Sequence, residues 1–195
     1  MSIVKDISKL NIPCEPVSSI QEGDEIAAKL FYELNNSKTG VGLAANQIGI
    51  LKRVLVMNVK EPLFLINPKI VEKSDEMFLS PEGCLSFPNK QVRVNRHVSV
   101  VVEADNIEGK LMFTAEKGKD LDNLECACVQ HEIDHLDGIT MFDKEVIFTP
   151  RITENKFGRN EKVKITNGTI TQTLKWKKAE SLIKQGKWSL SGVLE

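Results

Sequence analysis

The sequence predicts an α+β fold in which antiparallel sheets pack around a central buried helix, followed by a small basic ββα appendage. Three features predict it: an amphipathic helical pattern near the N-terminus, a series of short β-branched runs, and a later helical segment that is apolar on two sides. The chain has 195 residues, 41% of them hydrophobic, which suits one main domain and a short appendage.

The first helix is predicted over residues 22–35, where Ile26, Leu30 and Leu34 recur at helical spacing and Gly23 lies near the start. Five β-branched runs bounded by turn residues then predict antiparallel strands. These runs occupy residues 53–59, 63–67, 92–94, 98–104 and 110–114. Residues 106–109 have the composition of a hairpin turn between the last two.

A second helix is predicted to begin near Asp120 or Asp122 and to end at Gly138. At about 100° per residue, its apolar residues fall on two opposite sides, which is typical of a helix in the centre of a domain. One stripe holds Leu124, Ala127, Cys128, His131 and His135, and Val129, Ile133 and Leu136 lie opposite.

His131, Glu132 and His135 form the pattern H-E-x-x-H, in which two imidazoles one turn apart can bind one metal ion and the carboxylate can move protons. Burying these groups together is costly, and a divalent cation would compensate. The pattern therefore predicts a metal site, against the alternative that the two histidines are ordinary buried polar residues.

A catalytic site of this type needs a third protein ligand. Cys128 is unsuitable, because residues 128–135 span about 10.5 Å along a helix and metal–ligand bonds are about 2 Å long. Met141 stands where the extended peptidase pattern needs a histidine. A zinc endopeptidase with a downstream acidic ligand stays open as an alternative, with Asp143, Glu145 and Glu154 available.

Two further segments resemble motifs of the peptide deformylase family. Residues 40–49, GVGLAANQIG, resemble the first motif, and residues 82–86, EGCLS, resemble the second. Residues 130–138, QHEIDHLDG, resemble the third, and all three occur in the family's order and spacing. The resemblance covers roughly residues 10–147. It implies a hydrolase that removes the formyl group from the N-terminal formyl-methionine of nascent polypeptides and releases formate.

The resemblance implies that Cys84, His131 and His135 are the metal ligands, with one ion per chain. It implies Fe(II) as the working metal, with Zn(II) as the alternative, and both suit a thiolate with two imidazoles. Glu132 would move a proton from water to the departing amine.

Oxyanion donors are also implied by the resemblance, namely the Gln47 side-chain amide and the Leu85 backbone N–H. The substrate backbone is expected to pair beside Val41 and Gly42. The methionine side chain would enter a pocket whose wall includes Leu124, Ala127 and Cys128. A catalytically silent formyl-peptide or ribosome-binding module is kept as a further alternative.

Charge is distributed unevenly along the chain. Residues 1–150 carry 16 basic and 23 acidic side chains, whereas residues 151–195 carry 10 and 4. The near-neutral total of −1 argues against DNA as a partner, although the basic tail could contact an anion locally. We therefore expect a catalytic domain over residues 1–148 and a basic extension over residues 149–195.

The extension is predicted to form a hairpin from residues 163–166 and 169–174 with a type I′ turn at Asn167 and Gly168, and then a helix over residues 176–185. Lysines crowd the helical end, which suggests docking on ribosomal RNA, against the alternative of a solvated face. These lysines are Lys175, Lys177, Lys178, Lys184 and Lys187.

The chain shows no apolar run of about 18 residues and no signal-peptide pattern. We therefore expect a cytoplasmic monomer that does not contact a membrane. In that reducing environment the four cysteines, Cys14, Cys84, Cys126 and Cys128, are expected to be free thiols.

Overall fold

The computed structural model describes residues 3–146, 157–167, 170–186 and 188–191. The chain divides into two compact units, Met1–Val146 and Ile147–Glu195. Both combine helices with antiparallel strands, which confirms the predicted fold class. No helix among the described residues is long and apolar enough to cross a membrane.

The first unit begins with two helices, α1 (Ile7–Leu10) and α2 (Ile20–Asn36). Helix α2 starts earlier than predicted, because the Ser19 side chain accepts a hydrogen bond from the Glu22 backbone N–H and caps the helix at residue 19. Gly23 is therefore inside the helix. A Cβ atom there would lie 2.3 Å from Cδ1 of Ile66, so the glycine permits close packing.

Eight strands follow in the described part of the first unit, and all their pairings are antiparallel. They form a sheet β1-β2-β3, a sheet β4-β7-β8 and a hairpin β5-β6. The strands are β1 (Gly42–Ala44), β2 (Val54–Asn58), β3 (Pro62–Ile66), β4 (Lys69–Lys73), β5 (Met77–Cys84), β6 (Phe87–His97), β7 (Ser99–Glu103) and β8 (Leu111–Thr114). A short 3₁₀ helix, Ala45–Ile48, follows β1.

The predicted runs at residues 53–59, 63–67, 98–104 and 110–114 correspond to β2, β3, β7 and β8, and the predicted turn joins the last two. The run at residues 92–94 was wrong in length, because it is the middle of the long strand β6. Strands β1, β4 and β5 were not predicted. Strand β5 contains no β-branched residue and includes Pro81 and Gly83, and it is held by pairing with β6 instead.

Helix α3 (Asp120–Leu136) begins and ends as predicted. Every residue from Cys126 to Leu136 is buried, and Val129, Ile133 and Leu136 pack in one core cluster with residues of β2, β7 and β8. Both sides of the helix are thus covered along its C-terminal half. Its first turns are more open, and Leu124 is 41% exposed.

The second unit contains β9 (Lys162–Thr166), β10 (Thr171–Lys175), α4 (Trp176–Lys184) and β11 (Ser189–Leu190). The predicted ββα pattern lacked β11, which pairs with β9 to give the order β10-β9-β11. The predicted two-residue turn was wrong, because Thr166 pairs with Thr171 and leaves four residues between the strands. Of these, Gly168 and Thr169 lie outside the described residues.

We expect Gly138→Ala to destabilise the protein more than Gly109→Ala. Both glycines have a left-handed backbone, with φ of 74° and 83°. A Cβ atom at Gly138 would lie 2.8 Å from the Asn11 carbonyl oxygen, whereas at Gly109 nothing lies within 4 Å. Left-handed strain alone costs about 1–2 kcal/mol, and the clash adds about 1–3 kcal/mol. Urea unfolding of both variants measures the difference, and equal losses would contradict the contact with Asn11.

Candidate active site

Strand β5 and helix α3 bring three potential metal ligands together. Cys84 ends β5, and His131 and His135 lie one turn apart on α3. Their candidate ligand atoms all lie within 4.8 Å of one another, and Cys84 Sγ is 3.3 Å from His135 Nε2. In the part of the chain that the structure describes, this is the only cluster of histidine, cysteine and acidic side chains with that geometry.

The cluster fits one transition-metal ion. Tetrahedral bonds of about 2.0–2.3 Å place ligand atoms about 3.3–3.6 Å apart, close to the separation of Cys84 and His135. One thiolate and two imidazoles are a donor set that suits zinc and iron. Asp143 and Glu145 are not part of the cluster, and Glu154 lies outside the described residues. The downstream acidic ligand of the endopeptidase alternative is therefore not found among the described residues.

A buried ion network orients His131. Its Nδ1 atom lies 2.8 Å from Glu82 Oε2, so Nε2 is left for the cluster. Arg96 donates to both oxygens of Glu82, at 2.7 and 2.8 Å, and also to Asp134 on α3. Asp134 accepts a further hydrogen bond from Lys144 at 2.7 Å. The network joins both strands of the hairpin to the helix that carries the histidines.

The environment shifts the pKa values of these groups. Burial raises the pKa of Glu82, but hydrogen bonds from Arg96 and His131 outweigh it and lower that pKa to about 2. Burial lowers the pKa of His131, but hydrogen bonds to Cys84 and Glu82 prevail and raise it to about 10. Burial lowers the pKa of His135 to about 3, which favours the neutral, metal-binding form. A metal would therefore displace a proton from His131 on binding.

Glu132 lies beside the cluster with a free oxygen. Its side chain is 4% exposed, and Oε2 has no hydrogen-bond partner among the described residues. Burial raises its pKa to about 7. A Cβ atom on Gly42 would lie 2.6 Å from both Glu132 Oε1 and Cys128 Sγ, so only glycine lets β1 pass this close. The carboxyl group can accept and return a proton near neutral pH.

The 3₁₀ helix after β1 places two amides at the cluster. The Gln47 side-chain oxygen accepts from the Ala44 backbone N–H at 2.8 Å, which turns the Gln47 NH₂ group toward Cys84 Sγ and Ser86 Oγ, each at 3.2 Å. The neighbouring Asn46 donates to the His135 carbonyl oxygen at 2.6 Å. Both amides are buried, so their orientations are fixed by these contacts.

A cavity of about 750 Å³ opens onto these groups. Its lining includes every site residue expected from the sequence except His135, which lies deeper and is 1% exposed. The expected residues on its wall are Val41, Gly42, Gln47, Cys84, Leu85, Leu124, Ala127, Cys128, His131 and Glu132. The rest of the wall comes from residues 39–40, 80–83 and 87–91, which were not among the expected site residues.

The role of Arg96 was also missed, although a signal for it exists. Val92 and Val94 are buried on β6, and alternation places Arg96 on the same inward face. An arginine at an inward position of a strand indicates a buried carboxylate partner. The strand was predicted only to residue 94, so this signal was not used.

We expect Arg96→Met to lower the free energy of unfolding by about 3–5 kcal/mol, because Glu82 would be left buried without its cation and Asp134 would keep only Lys144. Lys110→Met is the control, since Lys110 is exposed with two exposed acidic neighbours and its loss should change the free energy of unfolding far less. Urea titration measures both. Similar losses would show that the Arg96 network does not hold the hairpin to the helix.

Comparison with known proteins gives consistent matches. The family model described as Polypeptide deformylase matches residues 2–150. The peptide deformylase of Rhizobium meliloti (strain 1021) is 40% identical over 134 residues, which are 66% of this chain and 74% of that protein. The peptide deformylase of Bartonella tribocorum is 36% identical over 176 residues, which are 86% and 93% of the two chains.

The fold is also similar to solved structures. The crystal structure of the PDF from the Vibrio parahaemolyticus bacteriophage VP16T in complex with actinonin matches with a TM-score of 0.63 and 34% sequence identity. The match covers 72% of this chain and 100% of that one. The family match ends at residue 150, so most of the second unit lies outside it.

Proposed function

Because this chain belongs to the polypeptide deformylase family, and removes the N-terminal formyl group from nascent polypeptides, we propose that Cys84, His131 and His135 hold its metal ion. The observation that carries the proposal is the convergence of these three side chains on one point beside Glu132.

The enzyme is metal-dependent as a member of this family. We propose Fe(II) as the working metal, with Zn(II) as the alternative. When bound, such an ion lowers the pKa of a water and polarises a carbonyl oxygen.

Glu132 moves the protons of the reaction. Its unpartnered Oε2 accepts the proton of the attacking water and then delivers it to the departing amine nitrogen. A pKa near 7, raised by burial, suits both directions of transfer at neutral pH. The products are formate and a peptide with a free N-terminal methionine.

Gln47 and Leu85 supply donors for the oxygen of the formyl group. The Gln47 amide is held by the Ala44 backbone N–H with its own N–H groups toward Cys84. Leu85 follows Cys84 on the cavity wall, and we assign its backbone N–H as the second donor. Such preorganised donors stabilise the negative charge that develops in the transition state.

The peptide backbone pairs with β1, which is one of the two edge strands of its sheet. Val41 and Gly42 lie on the cavity wall at this edge, and an extended peptide can add there as a further strand. Leu124, Ala127 and Cys128 line the cavity from α3 and form the wall for the methionine side chain. Partly exposed Leu124 marks the open end of that wall.

Anaerobic turnover of formyl-Met-Ala-Ser with each metal tests this assignment. Protein loaded with Fe(II) or Zn(II) should release formate without cleaving an internal peptide bond. Internal cleavage would favour the zinc endopeptidase, and binding without turnover would favour the silent module. Higher turnover with Zn(II) than with Fe(II) would reverse the metal assignment.

Glu132→Gln should keep the fold and the metal but lower kcat by about 10²–10⁴-fold, because an amide cannot accept the water's proton. Glu125→Gln is a matched control on the same helix, where Glu125 pairs with Lys60 away from the cavity. Metal content and kcat are measured together. A metal-loaded Glu132→Gln enzyme with near-normal kcat would remove Glu132 from the mechanism.

Cys84→Ser should sharply weaken metal retention, since a neutral hydroxyl replaces a thiolate. Cys126→Ser is the control, because that buried thiol contacts backbone carbonyl groups, including those of His97 and Phe113. Elemental analysis after dialysis compares the two variants. Equal metal content would show that Cys84 is not a ligand.

The second unit provides a docking element in this proposal. Deformylation acts on nascent chains, so we assign the basic extension, residues 149–195, to ribosome association. We further propose that the enzyme works in the cytoplasm as a monomer, in a bacterial-type cell or in a bacterial host if the source is viral. Partners other than the formylated peptide and the ribosome, such as DNA or a membrane, are not part of this function.

Deleting residues 151–195 should spare turnover of a short formyl peptide, because the site lies in the unit Met1–Val146. The same deletion should weaken cosedimentation with ribosomes, and association of the intact protein should fall with added salt. Equal cosedimentation with and without the extension would reduce it to a structural element.

A further inference from the structure

The sheet of the second unit has two different faces. Val163 and Ile165 on β9 are buried in a core with Trp176, Ala179 and Ile183 of α4. Side chains alternate between the faces of a strand, so the intervening residues of β9 lie on the face away from that core. On this opposite face, β9 carries two lysines, Lys162 and Lys164, and both are exposed.

Strand register shows what else belongs to this face. Lys175 pairs directly with Lys162, and Thr173 pairs with Lys164. Thr166 pairs with Thr171 on one side and with Ser189 on the other. We call this set the basic sheet face, which contains lysine, threonine and serine and no acidic residue: Lys162, Lys164, Thr166, Thr171, Thr173, Lys175 and Ser189.

The lysines of the basic sheet face repel one another. Directly paired residues have Cα atoms about 4.5–5.5 Å apart, so Lys162 and Lys175 place like charges side by side, which destabilises a sheet. Lys164 lies about 6.6–6.8 Å from Lys162 along the strand. None of the three has an ion-pair partner among the described residues. An anion bound across them would remove this repulsion.

The helical side of the unit is partly compensated. Lys184 on α4 pairs with Glu180 at 2.9 Å, so part of its charge is already compensated. Lys175, which the sequence grouped with the helical end, is instead the last residue of β10. Lys177 and Lys178 on the same helix are exposed without an ion pair among the described residues, and Lys187 lies outside those residues. What distinguishes the sheet is that two of its lysines, Lys162 and Lys175, pair directly.

We propose that the basic sheet face binds the phosphodiester backbone of RNA. Repeated phosphates match a row of point charges, and the hydroxyls of exposed Thr171 and Thr173 can donate to phosphate oxygens between them. RNA is the polyanion nearest to nascent polypeptides, so this inference rests on the proposed docking to the ribosome. It specifies the surface and the chemical group that docking would use.

The test compares two triple variants of the full chain that remove equal charge. One is Lys162→Gln, Lys164→Gln and Lys175→Gln on the sheet, and the control is Lys177→Gln, Lys178→Gln and Lys184→Gln on the helix. The probe is a fluorescently labelled RNA oligonucleotide, followed by anisotropy across salt concentrations. Both tryptophans of the chain lie in the second unit, so their fluorescence reports whether that unit stays folded.

Three phosphate contacts give a slope of about −2 in a plot of log affinity against log salt concentration. The wild-type affinity for RNA through this face should therefore fall about 15-fold between about 50 and about 200 mM salt. The sheet variant should bind RNA at least about tenfold more weakly at the lower salt concentration. Its plot of log affinity against log salt concentration should be shallower by about 2. The helix variant should stay within about twofold of the wild type. If the sheet triple is misfolded, Lys164→Gln alone should remove about one third of the slope.

Equal weakening by the two triples would overturn the proposal, because binding would then follow net charge alone. Wild-type binding that is absent or insensitive to salt would also overturn it, as would displacement of the RNA by anionic lipid vesicles at equal phosphate concentration. Ribosome cosedimentation separates the two proposals. RNA binding that depends on the sheet lysines, together with ribosome association that does not depend on the extension, would contradict the proposed docking to the ribosome. That result would still support RNA binding by the basic sheet face.

Discussion

The buried guanidinium of Arg96 is the constraint on which the catalytic unit depends. It is 2% exposed and lies between Glu82 on β5 and Asp134 on α3. Pulling the helix away from the hairpin would break two buried contacts, Arg96 with Asp134 and His131 with Glu82, which is more costly than losing an exposed pair. Because Cys84 ends the same strand as Glu82, this contact also sets the distance between the thiol and the two histidines.

The same network makes the surroundings of the two histidine rings different. Glu82 accepts from His131, so this ring is oriented by a carboxylate, whereas His135 Nδ1 has no partner among the described residues. Support for His135 comes from the other side, where Asn46 donates to its backbone carbonyl. Gln47, the next residue, donates to Cys84. The hairpin therefore orients His131 through Glu82, the 3₁₀ helix contacts both His135 and Cys84, and no single element forms the site.

Local periodicity was enough to predict α3, its end at Gly138 and the inward direction of its histidines, because these depend on residues close in sequence. Cys84 could be assigned only through family resemblance, since no spacing rule places a ligand on a distant strand. Arg96 and β5 were missed for a related reason. Their stability comes from pairing across the hairpin and from buried charges, which a single segment of sequence does not reveal.

The two units differ in whether their charged side chains are paired, and this difference accounts for the uneven distribution of charge along the chain. In the catalytic unit, the buried cation Arg96 contacts two carboxylates, and Lys144 neutralises the second of them further. In the second unit, two lysines pair directly on an exposed sheet face, and no acidic residue is paired with them in the sheet. A fold of this size gains nothing from such repulsion by itself. The excess charge is therefore better explained by an external anion than by the stability of the unit, in contrast to the internally balanced charges that build the active site.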